Sequence, residues 1–156
     1  MMLTLVKTHV NVRMLFMQGR VEAIAYRDGA RRVLPVSVEL VADHGIVGDA
    51  HAGAGRRQVV LFSAAARAAM ASSDDQGLCY ARFRENLTVS GIELGALRKG
   101  AELTCGDARL RISGVAKRCY PECTLQRSAC LIRPHVAFAR VVGGGEISLG
   151  DTVHLA

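Results

Sequence analysis

The sequence predicts a mainly β fold, a closed β-barrel with one or two short helices. Three observations lead there. Short hydrophobic runs, several with a period of two, recur along the chain between turns drawn from its 16 glycines. Helical composition is confined to one Ala-rich stretch. The 156 residues are 50% hydrophobic but only 4% aromatic, enough for one domain with a mostly aliphatic core of Val, Leu, Ile and Ala. Many short strands with Gly-rich turns and few helices favour a barrel over a layered α/β sheet.

In chain order, the segment 1–18 is poorly patterned and reads as a peripheral extension, with the domain itself over 19–156. Met17, just before the first convincing strand, would also serve as a start. "GRVEAIA" (19–25) puts Val21, Ala23 and Ala25 on one parity, with Ile24 breaking the alternation. "VLPVSVELV" aligns Val36, Val38 and Leu40, and Pro35 near its start suggests an edge strand. "RQVVLF" (57–62) is a continuous apolar run of the kind a buried strand carries. Ser63 is a candidate N-cap for a helix over "SAAARAAMASS", because Ala is the best helix former. Two short strands flank Cys105-Gly106-Asp107 as a hairpin, with Leu110 and Ile112 opposite Arg109 and Arg111. "VAFARVV", "EISL" after Gly143–Gly145, and "DTVHL" complete the set.

The formal net charge is +6, and nearly all the cations are arginines, whose planar fork suits phosphate and carboxylate. A basic surface implies an anionic partner. The cations are scattered in short pairs with no interleaved aromatics, which argues against nucleic acid. No stretch is long and apolar enough for a membrane span. Arg13 interrupts the apolar start, and no small-residue cleavage site follows, so the chain reads as cytoplasmic. In that compartment its five cysteines are thiols, ligands or nucleophiles rather than disulfides.

Three constellations carry chemistry. "HGIVGDAHAGAGRRQ" sets His44, Asp49 and His51 among glycines, ahead of Arg56-Arg57. Asp49 either caps its own turn or joins a site, and a metal reading with His44 and His51 lacks a recognised ligand spacing. "RFRENLTVSGIEL" inserts Glu85-Asn86 into a β-like run, as solvated loop residues or hydrogen-bonding anchors. "KRCYPECTLQRSAC" holds Cys119, Cys123 and Cys130 beside Lys117-Arg118. With His135 the spacing C-x3-C-x6-C-x4-H makes a workable set of zinc ligands, and so a zinc-stabilised, non-catalytic binding module. Alternatively, Lys117, Arg118 and Arg127 favour a reactive thiolate. Cys79 and Cys105, isolated in sequence, read as small buried hydrophobes.

Taken in order, "GIVGDAHAG", "RQVVLFS", "RENLTVSGIEL", "LRKGAEL", "GVAKRCYPECTL" and "FARVVGGGEISLGD" resemble a small stand-alone MOSC domain, the module named for the C-terminal part of molybdenum cofactor sulfurases. The resemblance spans about residues 19 to 155. It implies a β-barrel like the barrel domain of pyruvate kinase, and either molybdenum cofactor (molybdopterin) binding or sulfur transfer through a cysteine persulfide. A sulfur transferase or a cofactor-dependent enzyme would both fit. The family's Gly-Asp-x-His-x-Gly signature falls on Gly48, Asp49, His51 and Gly53, and its Glu-Asn-Leu on Glu85, Asn86 and Leu87. The cysteine followed two residues on by an aliphatic is Cys123. Phe83-Arg84 stands where the family often has Phe-Ala, and the N-terminal barrel domain of larger reductase-type members is not matched.

The resemblance implies that Arg56, Arg57, Lys117 and Arg118 bind the cofactor's phosphate. It casts Cys123 as the sulfur-carrying nucleophile and Cys119 as the thiol that resolves or steadies the persulfide. A cysteine desulfurase or a molybdoenzyme would be the sulfur donor or acceptor. The Gly48–Gly53 loop, Glu85-Asn86 and the Cys119–Cys123 loop are then expected on one cleft.

Overall fold

The structure, a computed structural model, describes residues 17–116, 118–125 and 129–156. Its strands are β1 (Met17–Ile24), β2 (Tyr26–Asp28), β3 (Arg31–Val33), β4 (Ser37–Val41), β5 (Gly45–Ile46), β6 (Val59–Ser63), β7 (Leu87–Ile92), β8 (Glu102–Cys105), β9 (Ala108–Val115), β10 (Val136–Gly143), β11 (Gly145–Ser148) and β12 (Thr152–Leu155). One helix, α1 (Ala64–Ala71), follows β6, and 3-10 turns occur at Leu94–Ala96 and Arg133–His135.

The period-two segments close into a barrel in the order β1-β12-β8-β9-β10-β6-β7, with β7 pairing back onto β1. The β8–β9 hairpin turns at Gly106-Asp107 and pairs Cys105 with Ala108. Its inward residues Leu103, Cys105, Leu110 and Ile112 are buried, while Arg109 and Arg111 face out. Val141 of β10 and Val153 of β12 meet them inside. Each fully buried aliphatic side chain contributes roughly 1.5–3 kcal/mol.

A second apolar cluster lies outside the barrel. Phe62, Ala66, Met70, Tyr80, Phe83, Ile132, Val136 and Phe138 form it beneath α1. Both faces of β6 are therefore covered, which is why "RQVVLF" reads as continuous rather than alternating. Ser63 caps α1, its Oγ accepting from Ala66 N at 3.2 Å.

β6 and β7 are parallel neighbours in an otherwise antiparallel barrel. A parallel pair needs a crossover of a dozen or more residues. Here α1 and residues 72–86 supply it, and this excursion carries much of the site described below.

Two local expectations are corrected. Ala23 does not share a face with Val21. The register of β1 against β7 shifts between Val21 and Ala23, turning Ile24 and Ala25 inward with Val21 and leaving Ala23 exposed. β4 is the middle strand of a three-stranded sheet, β11-β4-β5, rather than an edge. Pro35 lies before the strand, so its missing N–H costs no ladder bond, and Val36 is 73% exposed. The β2–β3 hairpin and β5 have no counterpart in the hydrophobic pattern. Met17 and Gln18 belong to β1, opposite Ile92 and His154, and the rest of the segment 1–18 lies outside the described residues.

Candidate functional site

β1 ends and β7 begins side by side, with Ile24 opposite Leu87, and the loop after β5 folds over this point. Gly48, at φ 88°, makes the turn that presents Asp49. Asp49 is 7% exposed. Its Oδ1 accepts from His51 N at 3.2 Å and Arg27 N at 3.3 Å, and its Oδ2 accepts from Asn86 Nδ2 at 3.4 Å. Asp49 thus caps its own turn and also joins that turn to the barrel.

Asn86 ties three segments together. Its Oδ1 accepts from Val60 N at 2.9 Å, and its Nδ2 also donates to Ala25 O at 3.1 Å. Glu85, 4% exposed, is held by Arg67, which donates through Nε to Oε1 at 3.1 Å and through Nη2 to Oε2. Thr88 Oγ1 donates to Oε1 at 2.9 Å. Burial pushes the Glu85 carboxyl up, but the hydrogen bonds and charge of Arg67 outweigh it and hold it below the usual carboxylate range. Arg67 also stacks over Phe62 and Phe83, with its guanidinium carbon 5.1 and 5.6 Å from their ring centroids. Glu85 and Asn86 are anchors, not solvated loop residues.

Beside this anchor opens a cleft of about 420 Å³. Arg27, Arg32, Arg57, Arg82 and Arg84 line it, and so does His51. Arg57 lies over the Phe138 ring at 4.3 Å. Arg27 and Arg32 are register partners on the β2–β3 hairpin, a like-charge pair directly across the ladder. Such a pair is destabilising unless something anionic meets it. Asp49 and Glu85 are the carboxylates in this wall, and both are already engaged. Burial lowers the Arg32 guanidinium's pKa; Glu85 opposes this, while Arg84 and Arg67 add to it.

A second, much smaller pocket adjoins the cleft. Cys79, Cys119, Cys123 and Cys130 line it, along with Arg118 and Arg133. Arg133 Nη1 donates to Cys119 Sγ and Arg133 N to Cys130 Sγ, both at 3.5 Å. Tyr80 Oη accepts from Leu131 N at 2.9 Å, holding the segment after Cys130 against the crossover. Gly77, at φ 55°, lies against Cys123. A Cβ there would stand 3.1 Å from Cys123 Sγ and 2.8 Å from Leu125 Cδ1. Leu78, Cys79 and Tyr120 line both spaces and form the wall they share.

Several expected residues meet here and others do not. Asp49, His51, Glu85, Asn86 and Arg57 line the cleft, where Tyr120 represents the cysteine loop. Cys119, Cys123 and Arg118 line the thiol pocket instead. Gly48 and Gly53 shape the turn without lining the cleft. Arg56 lies away from both, its carbonyl accepting from Ser113 Oγ. Lys117 and Arg127 lie outside the described residues.

Among the described residues, no group of three or more His, Cys, Asp or Glu is arranged to hold a metal. Of the expected zinc set, Cys119, Cys123 and Cys130 meet in the thiol pocket. His135 sits on the 3-10 turn beyond Ile132 and does not line the thiol pocket. Of His44, Asp49 and His51, the last two line the cleft and His44 does not. Cys105 is the buried hydrophobe expected of it, and burial, helped by Asp151, pushes its thiol up to about 12. Cys79 is not isolated: it joins the other thiols. Arg27, Arg32, Arg67, Arg82 and Arg84 also escape sequence reasoning, although the alternation "RFRE" around Phe83 is a faint sign of the last two.

No described helix is long and apolar enough to cross a membrane. No curated protein sequence matches the chain. Solved structures do. The YuaD protein from Bacillus subtilis superposes with a TM-score of 0.64 at 20% identity, over 89% of this chain and 96% of its own. YiiM from Escherichia coli gives 0.58 at 17%, over 88% and 69%. YiiM from Geobacillus stearothermophilus gives 0.58 at 14%, over 88% and 75%. These likenesses establish the barrel fold. The MOSC domain family model matches residues 48–154, from the Gly48-Asp49 turn to the last barrel strand. The chain therefore belongs to the MOSC domain family, which is associated with the molybdenum cofactor.

Proposed function

We propose that the protein binds the molybdenum cofactor in the arginine cleft and carries sulfur as a persulfide on Cys123. The observation that carries this reading is the juxtaposition of an arginine-lined cleft, its carboxylates already engaged, with a pocket of four thiols. The cleft's volume of about 420 Å³ lies within the range of small-molecule sites. The chemistry of the wall also fits. Arg27, Arg32, Arg82 and Arg84 would hold the phosphate through charge-assisted hydrogen bonds, and the Arg57–Phe138 stack offers a flat apolar face to a pterin. When bound, the cofactor supplies a thiophilic molybdenum centre.

The chain's own thiol chemistry is sulfur transfer. The Cys123 thiolate attacks the terminal sulfur of a donor persulfide. A new S–S bond forms at Sγ, the donor's S–S bond breaks, and the donor leaves as a thiolate while the proton stays on the transferred sulfur. Arg118 also lines this pocket and adds a cation to it. Arg133 holds Cys119 in place to steady or resolve the product. A cysteine desulfurase as donor and a molybdoenzyme as acceptor complete the scheme.

Mass spectrometry of the protein isolated without reductant tests the reading. We expect one added sulfur on the peptide containing Cys123, lost in Cys123→Ser, or a retained molybdopterin. Unmodified protein that takes up neither sulfur from a persulfide donor nor cofactor would refute it.

A further inference from the structure

Of the cysteines that line the thiol pocket, only Cys79 also lines the arginine cleft. Cys119, Cys123 and Cys130 border the small pocket alone. A sulfur held on Cys123 is thus separated from the cleft by the wall of Leu78, Cys79 and Tyr120. The pocket's free volume is about 10 Å³, close to the smallest space that admits a single water-sized atom. That is room inside the pocket for one terminal sulfur, while Cys123 itself is partly exposed and so open to a donor from solvent. Cys79 sits on the crossover between the parallel strands β6 and β7, close to Gly77, whose lack of a side chain leaves room for Cys123 Sγ.

Resting on the sulfur-carrier reading above, we propose that Cys79 is the relay thiol that takes the sulfane sulfur from Cys123 and presents it to the cleft. The Cys79 thiolate attacks the outer sulfur of the Cys123 persulfide. The Cys79 Sγ–S bond forms, the Cys123 Sγ–S bond breaks, and Cys123 leaves as a thiolate. The proton stays on the migrating sulfur. One thiolate and one persulfide are exchanged for another such pair, so no external oxidant or reductant is needed. The arginines around Cys79 then draw anionic acceptors to the side where the sulfur emerges.

The experiment loads the full chain with glutathione persulfide and maps added sulfur by peptide mass spectrometry over time. Loaded protein is then treated with tris(carboxyethyl)phosphine, an anionic acceptor suited to the arginine-lined cleft, which removes a sulfane sulfur as its phosphine sulfide. We expect sulfur on the Cys123 peptide first and on the Cys79 peptide after it. In Cys123→Ser the Cys79 peptide loses its sulfur. In Cys79→Ser the Cys123 persulfide forms but is stripped more slowly than in the wild type. The wild-type time course needs no variant and stands even if a substitution impairs folding. Sulfur that reaches Cys123 but never Cys79, equal loading of Cys79 without Cys123, or equal stripping without Cys79 overturns the relay and leaves the carrier reading intact. A chain that takes sulfur on no cysteine overturns both.

Discussion

The polar wall of the cleft and the thiol wall of the adjoining pocket are built on opposite principles. On one side, Asp49, Glu85 and Asn86 are tied by hydrogen bonds of 2.9–3.4 Å to backbone and side chains from separate segments. On the other, Cys119 and Cys130, both outside helix and strand, are held by sulfur contacts at 3.5 Å. Buried polar groups with every bond made fix geometry and are costly to disturb. Weak acceptors such as thiols leave their sulfur available for chemistry. The polar anchor therefore sets the shape of the site, and the thiol wall supplies its reactivity.

The sharpest way to break this contrast is to substitute each wall in turn. Asn86→Ala strands Val60 N–H and Ala25 C=O, and should cost about 3 kcal/mol at roughly 1–3 kcal/mol per unsatisfied group. Arg67→Ala should cost about 3 kcal/mol as well, the low end for a broken buried pair, because the Arg67 side chain is 32% exposed. Either change should lower Tm by roughly 6–12 °C in a domain of this size. Cys119→Ser and Cys123→Ser should stay within about 1 kcal/mol of the wild type, since neither thiol is fully buried. Calorimetry of the four variants checks the ordering. Equal losses on both walls would erase the distinction.

Acid titration sharpens it further. The Glu85 carboxyl is held below its unfolded value, so its contribution to stability is complete above the unfolded pKa. It disappears as pH falls through the lower, folded pKa. Glu85→Gln should flatten the acid limb of stability measured by urea unfolding. An unchanged slope would mean that the Arg67–Glu85 pair carries no net stability.

The smallest effect concerns Cys105. Its thiol, pushed up to about 12 inside the barrel, should resist alkylation at pH 8 in folded protein while Cys123 reacts. Its raised pKa favours the neutral form in the folded state. Stability should therefore decline only above the ordinary thiol range, as the unfolded chain ionises first. Peptide mapping of the alkylated protein checks the first point.

Most of the barrel is legible in the sequence because its strands have one face in the core and one in solvent. "ELTCGDARLRI" states its pairing almost completely, through alternation and a two-residue turn. β1 is less legible because a bulge shifts its parity midway, and a bulge leaves no reliable compositional mark. The anchor residues are visible as polar interruptions, but their bonding partners come from segments up to 61 residues away. Arg27 and Arg32 lie on a hairpin without apolar alternation, so nothing local places them over the cleft. Cys79 meets Cys119 and Cys123 only because a parallel strand pair demands a long crossover, a property of topology rather than of the stretch "QGLCYAR".

Equilibrium binding of isolated molybdenum cofactor, followed by titration, tests most directly the claim that the arginine wall binds and the thiol wall reacts. The double variant Arg32→Gln/Arg84→Gln should keep its Tm and lose affinity by roughly tenfold to a hundredfold per lost charge-assisted contact, at about 1.5–3 kcal/mol each. Cys123→Ser should bind within a few-fold of the wild type, since the cleft is lined without it. Unchanged affinity in the arginine variant, with affinity lost in Cys123→Ser, would contradict the account.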